Sequence, residues 1–215
     1  MTKKRLLIFL GFAFPGVLDV AMGALVVLVM GELFGYAVRP PHLLLGGPLG
    51  VLPDFDLLYL YLYAHKRGRS FTSHRTLLTH RPLVMLPLFS ALGFVGGGVF
   101  WAVTAPACLA WHYLHDTESK WIPFGSGTVE WLWPLVKARG TTVTPPKEPP
   151  NALQWLRRVW LTPTTRSLGE LLAATYFLLV IGDSLGWTTL ALPLLAVCWV
   201  VVIVTWREAE KCTWE

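Results

Sequence analysis

Long apolar blocks separated by short polar segments dominate the pattern of the chain. The first block, residues 6–30, is long enough to cross a hydrocarbon core of about 30 Å. Later blocks cover residues 42–64, 82–104, 105–116, 168–181 and 188–205. This pattern predicts an all-α fold, a polytopic membrane helical bundle of about five to six transmembrane segments.

The second block is interrupted by glycine and proline, which predicts a broken or re-entrant segment. Pro53 is favoured at the first position of a new helix, with Asp54 and Asp56 in its first turn. Irregular backbone at membrane depth is tolerated only where protein or a polar cavity covers it. The break therefore predicts a cavity beside these two carboxylates.

The remaining pattern predicts a single integral membrane domain over residues 1–215. Its core, residues 42–135, contains most of the polar interruptions and the candidate chemistry described below. A proline-rich cytoplasmic loop follows at residues 140–151, and a helical hairpin at residues 168–206 closes the domain. Asp19 interrupts the first block. It is either a packed polar contact or a peripheral member of the candidate site described below.

Composition agrees with a membrane protein: 54% of the residues are hydrophobic and 14% charged, against about 25% charged in an ordinary soluble domain. The three cysteines, Cys108, Cys198 and Cys212, are far apart and form no CxxC pair. Neither a disulfide framework nor a thiolate zinc site is indicated.

The distribution of the basic residues predicts the topology. With a cytoplasmic N-terminus and six crossings, 17 of the 18 Lys and Arg would lie inside, leaving Arg39 outside. This explains the net charge of +5 without nucleic acid. We expect a multi-pass protein of a bacterial or archaeal inner membrane, with both termini cytoplasmic.

Three polar islands, residues 52–56, 73–80 and 111–116, interrupt the apolar chain and carry its candidate chemistry. On a helix His112, His115 and Asp116 share one face. Nitrogen and oxygen ligands without sulfur suit a catalytic site for zinc, with manganese or iron as alternatives. Two histidines at a helix end are also common as simple interfacial residues, so this motif alone is weakly specific.

The other two islands supply the same ligand types on the same predicted side of the membrane. Asp54 and Asp56 are read as metal ligands, although either can be a helix cap. His74 and His115 are candidate ligands or general bases, and Arg75 is a candidate clamp for an anionic group. A basic cytoplasmic loop that happens to contain histidines is the competing interpretation of residues 73–80. The proposed metal ligands are Asp54, Asp56, His80, His112 and Asp116.

The order of these motifs resembles the YdjM-like family of membrane-bound metal-dependent hydrolases, over about residues 43–135. The residues that carry the resemblance are Pro53, Asp54, Asp56, His74, Arg75, Thr79, His80, His112, Asp116, Trp133 and Pro134. Two features depart from it: three residues rather than two separate HR from TH, and Arg81 replaces a small residue. His42 is the candidate for a ligand that the family places in its first helix. The resemblance implies a metal-dependent hydrolase.

The sequence therefore predicts a membrane enzyme that uses a divalent metal to activate water. Membrane lipids surround it, and a phospholipid or other anionic phosphoester at the headgroup level is the expected substrate. A haem-binding electron-transfer subunit is one alternative, although haem ligation does not explain Asp54 and Asp56. A small transporter that uses the same His and Asp residues is another, although no inverted repeat is visible.

Overall fold

The computed structural model describes residues 3–56, 77–116, 129, 131–132, 134–135, 157 and 160–213. All regular elements in these ranges are helical, which confirms the all-α prediction. The α-helices are α1 (Lys3–Phe34), α2 (Pro40–Val51), α3 (Pro82–Asp116), α4 (Thr165–Ser184) and α5 (Thr188–Glu210). Two short 3-10 turns, Leu52–Asp54 and Leu78–His80, complete the described elements. The predicted loop at residues 140–151 lies outside the described ranges.

Four of the helices contain stretches long and apolar enough to cross a membrane. These stretches are Gly16–Phe34, Pro82–Leu114, Ser167–Ser184 and Thr188–Glu210. Their outer faces expose large apolar side chains; Val95, for example, is 86% exposed. Such surfaces are typical of helices solvated by lipid. The chain thus has the helices of a membrane protein, while the predicted number of five to six segments is not established.

Helix α3 is a hairpin of two antiparallel arms, residues 82–96 and 99–116. The backbone leaves the helical conformation at Gly97 and Gly98, and Gly98 has φ 70° and ψ −158°. Ser90 Oγ donates a hydrogen bond to the carbonyl oxygen of Ala102 at 2.8 Å, although twelve residues span about 18 Å in a straight helix. The boundary expected between residues 104 and 105 therefore lies at Gly97 and Gly98.

Helix α2 packs against α1 through glycine. A Cβ atom on Gly23 would overlap the carbonyl oxygen of Gly46 and lie 3.0 Å from the backbone nitrogen of Gly50. The thiol of Cys108 donates to the carbonyl oxygen of Gly23 at 3.4 Å, which brings the second arm of α3 to the same place. The helix runs unbroken past Pro48, so the predicted break falls only at the turn Leu52–Asp54.

The chain forms two compact units, residues 22–143 and residues 1–21 with 144–215. The first unit contains α2, both 3-10 turns and α3. In the second unit α4 and α5 form a helical hairpin, in which the indole nitrogen of Trp199 donates to Thr175 Oγ1 at 2.9 Å. Trp206 Nε1 donates to the carbonyl oxygen of Trp160 at 2.9 Å in the same unit.

Candidate metal centre

Three separate elements each deliver polar side chains to one point in the unit of residues 22–143. Asp54 ends the first 3-10 turn and His80 ends the second. His112 and Asp116 lie one helical turn apart at the end of α3, so both side chains project from the same face. We call Asp54, His80, His112 and Asp116 the His/Asp group. One ligand atom from each of its members lies within 4.8 Å of those of the others.

The four distances between imidazole nitrogen and carboxylate oxygen in the His/Asp group are similar to one another. His80 Nε2 lies 3.7 Å from Asp54 Oδ1 and 3.4 Å from Asp116 Oδ2. His112 Nε2 lies 3.5 Å from the same oxygen atoms of Asp54 and Asp116. Two imidazole nitrogens and two carboxylate oxygens thus face a common centre.

These distances match the requirements of a small divalent cation. Zinc binds imidazole nitrogen and carboxylate oxygen at about 2.0–2.2 Å, and a tetrahedral arrangement then separates neighbouring ligand atoms by about 3.4 Å. The four nitrogen–oxygen distances of 3.4–3.7 Å lie close to this value. The donor set also fits, because it contains only nitrogen and oxygen atoms.

Hydrogen bonds on the far side of each imidazole fix its orientation. His80 Nδ1 lies 3.0 Å from Asp56 Oδ2, and His112 Nδ1 lies 3.1 Å from the carbonyl oxygen of Gly50. Both partners are acceptors, so each Nδ1 carries a proton and donates it. The lone pair of a neutral ring is then on Nε2, which points into the group.

Burial is uneven among the four side chains. The exposed fraction is 0% for His80, 1% for His112 and 10% for Asp116, but 21% for Asp54. Water and small solutes therefore reach the group from the Asp54 side. An ionised carboxylate buried as deeply as that of Asp116 needs positive charge nearby, which a cation or a protonated imidazole provides.

The pKa of His80 reflects these competing influences. Burial favours the neutral imidazole, but the nearby carboxylates of Asp116, Asp54 and Asp56 favour the imidazolium and raise the pKa to about 10. A proton on His80 takes the place of a cation among the carboxylates when no metal is bound.

The structure brings together four of the predicted ligands, Asp54, His80, His112 and Asp116. It places Asp56 behind His80, at Nδ1 rather than Nε2. His42 is not among them: it lies in the first turn of α2, where its Nδ1 accepts a hydrogen bond from the backbone N–H of Arg39 at 3.0 Å.

The other predicted site residues are not described at the side-chain level. His74 and Arg75 lie outside the described ranges. His115 belongs to α3, but its side chain is outside the described part of the helix. Their proposed roles as base, ligand or anion clamp stay predictions.

Sequence reasoning assigned no role at the site to the carbonyl of Gly50 or to Tyr113. A backbone carbonyl leaves no signal in residue type, so the partner of His112 could not be predicted. Tyr113 is fully buried, and its hydroxyl donates to the carbonyl oxygen of Thr79 at 2.7 Å. Its position between two residues of the polar island at residues 111–116 was the only available signal.

Comparison with known proteins gives no match, whether to a family model, a curated protein or a solved structure. The chemistry of the site therefore follows from its own residues. They form a buried group of His and Asp side chains able to hold a metal ion, in a protein with membrane-type helices.

Proposed function

We propose that the protein is a membrane-embedded metal-dependent hydrolase that acts on a phosphoester or lipid-like substrate at the cytoplasmic membrane surface. The observation that carries the proposal is the convergence of two Nε2 atoms and two carboxylate oxygens, with distances of 3.4–3.7 Å between them. The cofactor would be one divalent cation, zinc first and manganese or iron as alternatives.

Each member of the His/Asp group has a defined part in this proposal. His80 and His112 would bind the cation through Nε2, and Asp54 and Asp116 through one carboxylate oxygen each. When bound, such a cation lowers the pKa of water and polarises an ester or phosphoryl oxygen. The partly exposed side of Asp54 is where a substrate would approach.

The resemblance to YdjM-like hydrolases supports the same assignment. Of the residues that carry it, Asp54, Asp56, Thr79, His80, His112 and Asp116 form one connected set of contacts. When a family motif forms a site, its residues are expected to lie close together even if they are far apart along the chain. This agreement supports a single metal site formed by these residues.

A position near one membrane surface is supported by the length of α3. Aromatic side chains gather at the opposite end of its second arm, where Phe100 stacks on Tyr36 with ring centroids 3.9 Å apart. Tyr and Trp side chains are enriched at membrane interfaces. Asp116 lies about 24 Å further along the helix than Phe100, and this separation supports a position of the His/Asp group near the other interface of a hydrocarbon core about 30 Å thick.

The geometry argues against haem ligation. A haem needs a flat apolar slot between its two axial imidazoles. Asp54 and Asp116 instead place carboxylate oxygens within 3.7 Å of both Nε2 atoms, in the space that a porphyrin would need.

The test is hydrolysis by the purified, zinc-loaded protein in detergent, with phosphomonoester, phosphodiester and phospholipid substrates. We expect turnover of at least one class and its loss in His112→Ala. The exposed carboxylate of Asp183 provides the matched control, Asp183→Asn, which is expected to retain activity. Tight zinc binding without turnover of any of the three classes would contradict the hydrolase and favour a transport site.

A further inference from the structure

We propose that Asp56 is not a metal ligand but a positioning residue, which holds His80 in the tautomer and orientation that a metal ion requires. The proposal rests on the metal site of the proposed function and adds the way in which that site is preorganised. It reassigns one of the two carboxylates that the sequence predicts as equivalent.

The contact between Asp56 and His80 carries the inference. Asp56 Oδ2 lies 3.0 Å from Nδ1 of His80, whereas Asp54 Oδ1 and Asp116 Oδ2 lie 3.7 and 3.4 Å from its Nε2. The two ring nitrogens point away from each other. An oxygen that accepts the Nδ1 proton therefore cannot also face an ion bound at Nε2.

The position of Asp56 is itself fixed by a second hydrogen bond to the same oxygen. Thr79 Oγ1 donates to Asp56 Oδ2 at 2.7 Å, and the backbone of Thr79 is held by Tyr113 through the 2.7 Å bond to its carbonyl oxygen. Tyr113 packs in a buried cluster with Met85, Leu109 and Val129. The orientation of His80 is thus tied to the packing of both arms of α3.

The partners of the two histidines differ in charge. His112 donates to the neutral carbonyl of Gly50, while His80 donates to a carboxylate. A carboxylate partner increases the basicity of the imidazole, and such outer partners typically change metal affinity by about 10- to 100-fold. His80 is therefore expected to be the stronger donor of the two, and to depend on Asp56.

The test is competition titration of the full-length protein in detergent with zinc and a chromophoric chelator. We expect the zinc affinity of Asp56→Asn to fall by about 10- to 100-fold. Thr79→Val removes the bond that fixes Asp56 and is expected to weaken binding by about fivefold, the value of one ordinary hydrogen bond. The exposed residues Asp183 and Thr189 supply the matched controls, Asp183→Asn and Thr189→Val, both with unchanged affinity.

Spectroscopy separates a positioning role from ligation and from a general loss of structure. Loaded with cobalt in place of zinc, Asp56→Asn is expected to keep the visible bands of the native ligand set, slightly shifted, because all four ligands remain. Asp116→Asn, which removes a ligand, is expected to change those bands. In the zinc-loaded protein the Nδ1 proton of His80 should give a downfield NMR signal that Asp56→Asn moves and Asp183→Asn does not.

Two results would overturn the proposal: zinc affinity of Asp56→Asn equal to that of Asp183→Asn, or a cobalt spectrum altered in the same way as that of Asp116→Asn. If Asp56→Asn does not fold, Thr79→Val decides, and unchanged affinity in that variant overturns the proposal. Failure of the native protein to bind zinc or cobalt would instead remove the proposed function itself, so the two failures are distinguishable.

Discussion

The α3 hairpin and the α4–α5 hairpin are built alike but use their polar residues differently. Each reverses at a glycine with positive φ, Gly98 at 70° and Gly186 at 68°. In the α4–α5 hairpin, hydroxyl groups are satisfied locally; Thr175 and Thr205 donate to carbonyl oxygens four residues earlier. In the α3 hairpin, His112 and Asp116 meet partners from distant parts of the chain.

This difference distinguishes polar side chains that stabilise their own helix from polar side chains that form a binding site. A hydroxyl that bonds the preceding helical turn stabilises its own helix and requires nothing else. Two imidazoles and two carboxylates drawn from three elements cost desolvation energy that local bonds do not recover. A bound cation compensates for this cost, so the comparison predicts that metal dependence is confined to the α3 hairpin and the turns that meet it.

Removal of a ligand is expected to have the largest effect. Asp116→Asn and His112→Ala each take away one of four ligands and should lower zinc affinity by more than the roughly 100-fold expected for an outer partner. Metal content after purification, measured by mass spectrometry, checks this. Asp183→Asn in the α4–α5 hairpin should retain full content, and an equal loss in that control would erase the distinction between the hairpins.

The turn of the α3 hairpin is expected to contribute next. Gly98 has φ 70° and ψ −158°, a region open only to glycine, so Gly98→Ala should destabilise the protein by about 1–3 kcal/mol. Gly96, two residues earlier, has open space at the position that a Cβ atom would occupy. Gly96→Ala should therefore stabilise the helix by about 0.5–1 kcal/mol. Chemical unfolding in detergent measures both. Equal effects would mean that the chain does not reverse at Gly98.

Zinc affinity is expected to depend on pH through His80. Its pKa of about 10 without metal means that the cation must displace a proton at neutral pH, so affinity should rise about tenfold per pH unit from pH 6 to 8. In the metal-free protein the same shift gives stability that is present below about pH 6.5 and declines as the pH rises towards 10. Competition titrations at three pH values test this, and an affinity independent of pH would contradict it.

The smallest effect is expected in the α4–α5 hairpin. Thr175→Val removes the acceptor of the Trp199 indole and should cost about 0.6 kcal/mol, the usual value of a hydrogen bond between membrane helices. Zinc content should not change. Thr189→Val, at an exposed position of the same hairpin, is the control. A loss of zinc in Thr175→Val would show that the hairpins are coupled.

The ligand types at the site could be predicted from sequence because buried polar residues are conspicuous in an apolar chain. The pairing of His112 with Asp116 followed from helical spacing. The different roles of Asp54 and Asp56 could not be predicted, because they depend on which ring nitrogen of His80 each faces. Residue type and spacing carry no information on that choice.

The helix boundaries were predicted less well for a physical reason. In a membrane both arms of the α3 hairpin and its turn are apolar, so hydropathy has no minimum at Gly97 and Gly98. Close backbone approaches occur at Gly23 against Gly46, where α1 and α2 meet, and at Gly93 against Trp101, between the two arms of the α3 hairpin.

X-ray absorption spectroscopy of the zinc-loaded, full-length protein tests whether the His/Asp group binds the metal ion. We expect one zinc per chain, bound only by nitrogen and oxygen atoms at about 2.0–2.2 Å, with the scattering of two imidazole rings. This signature should be lost in Asp54→Asn. In His112→Ala it should be lost or reduced to the scattering of one imidazole ring. Zinc bound through sulfur, or without imidazole scattering, would exclude the His/Asp group as the metal site.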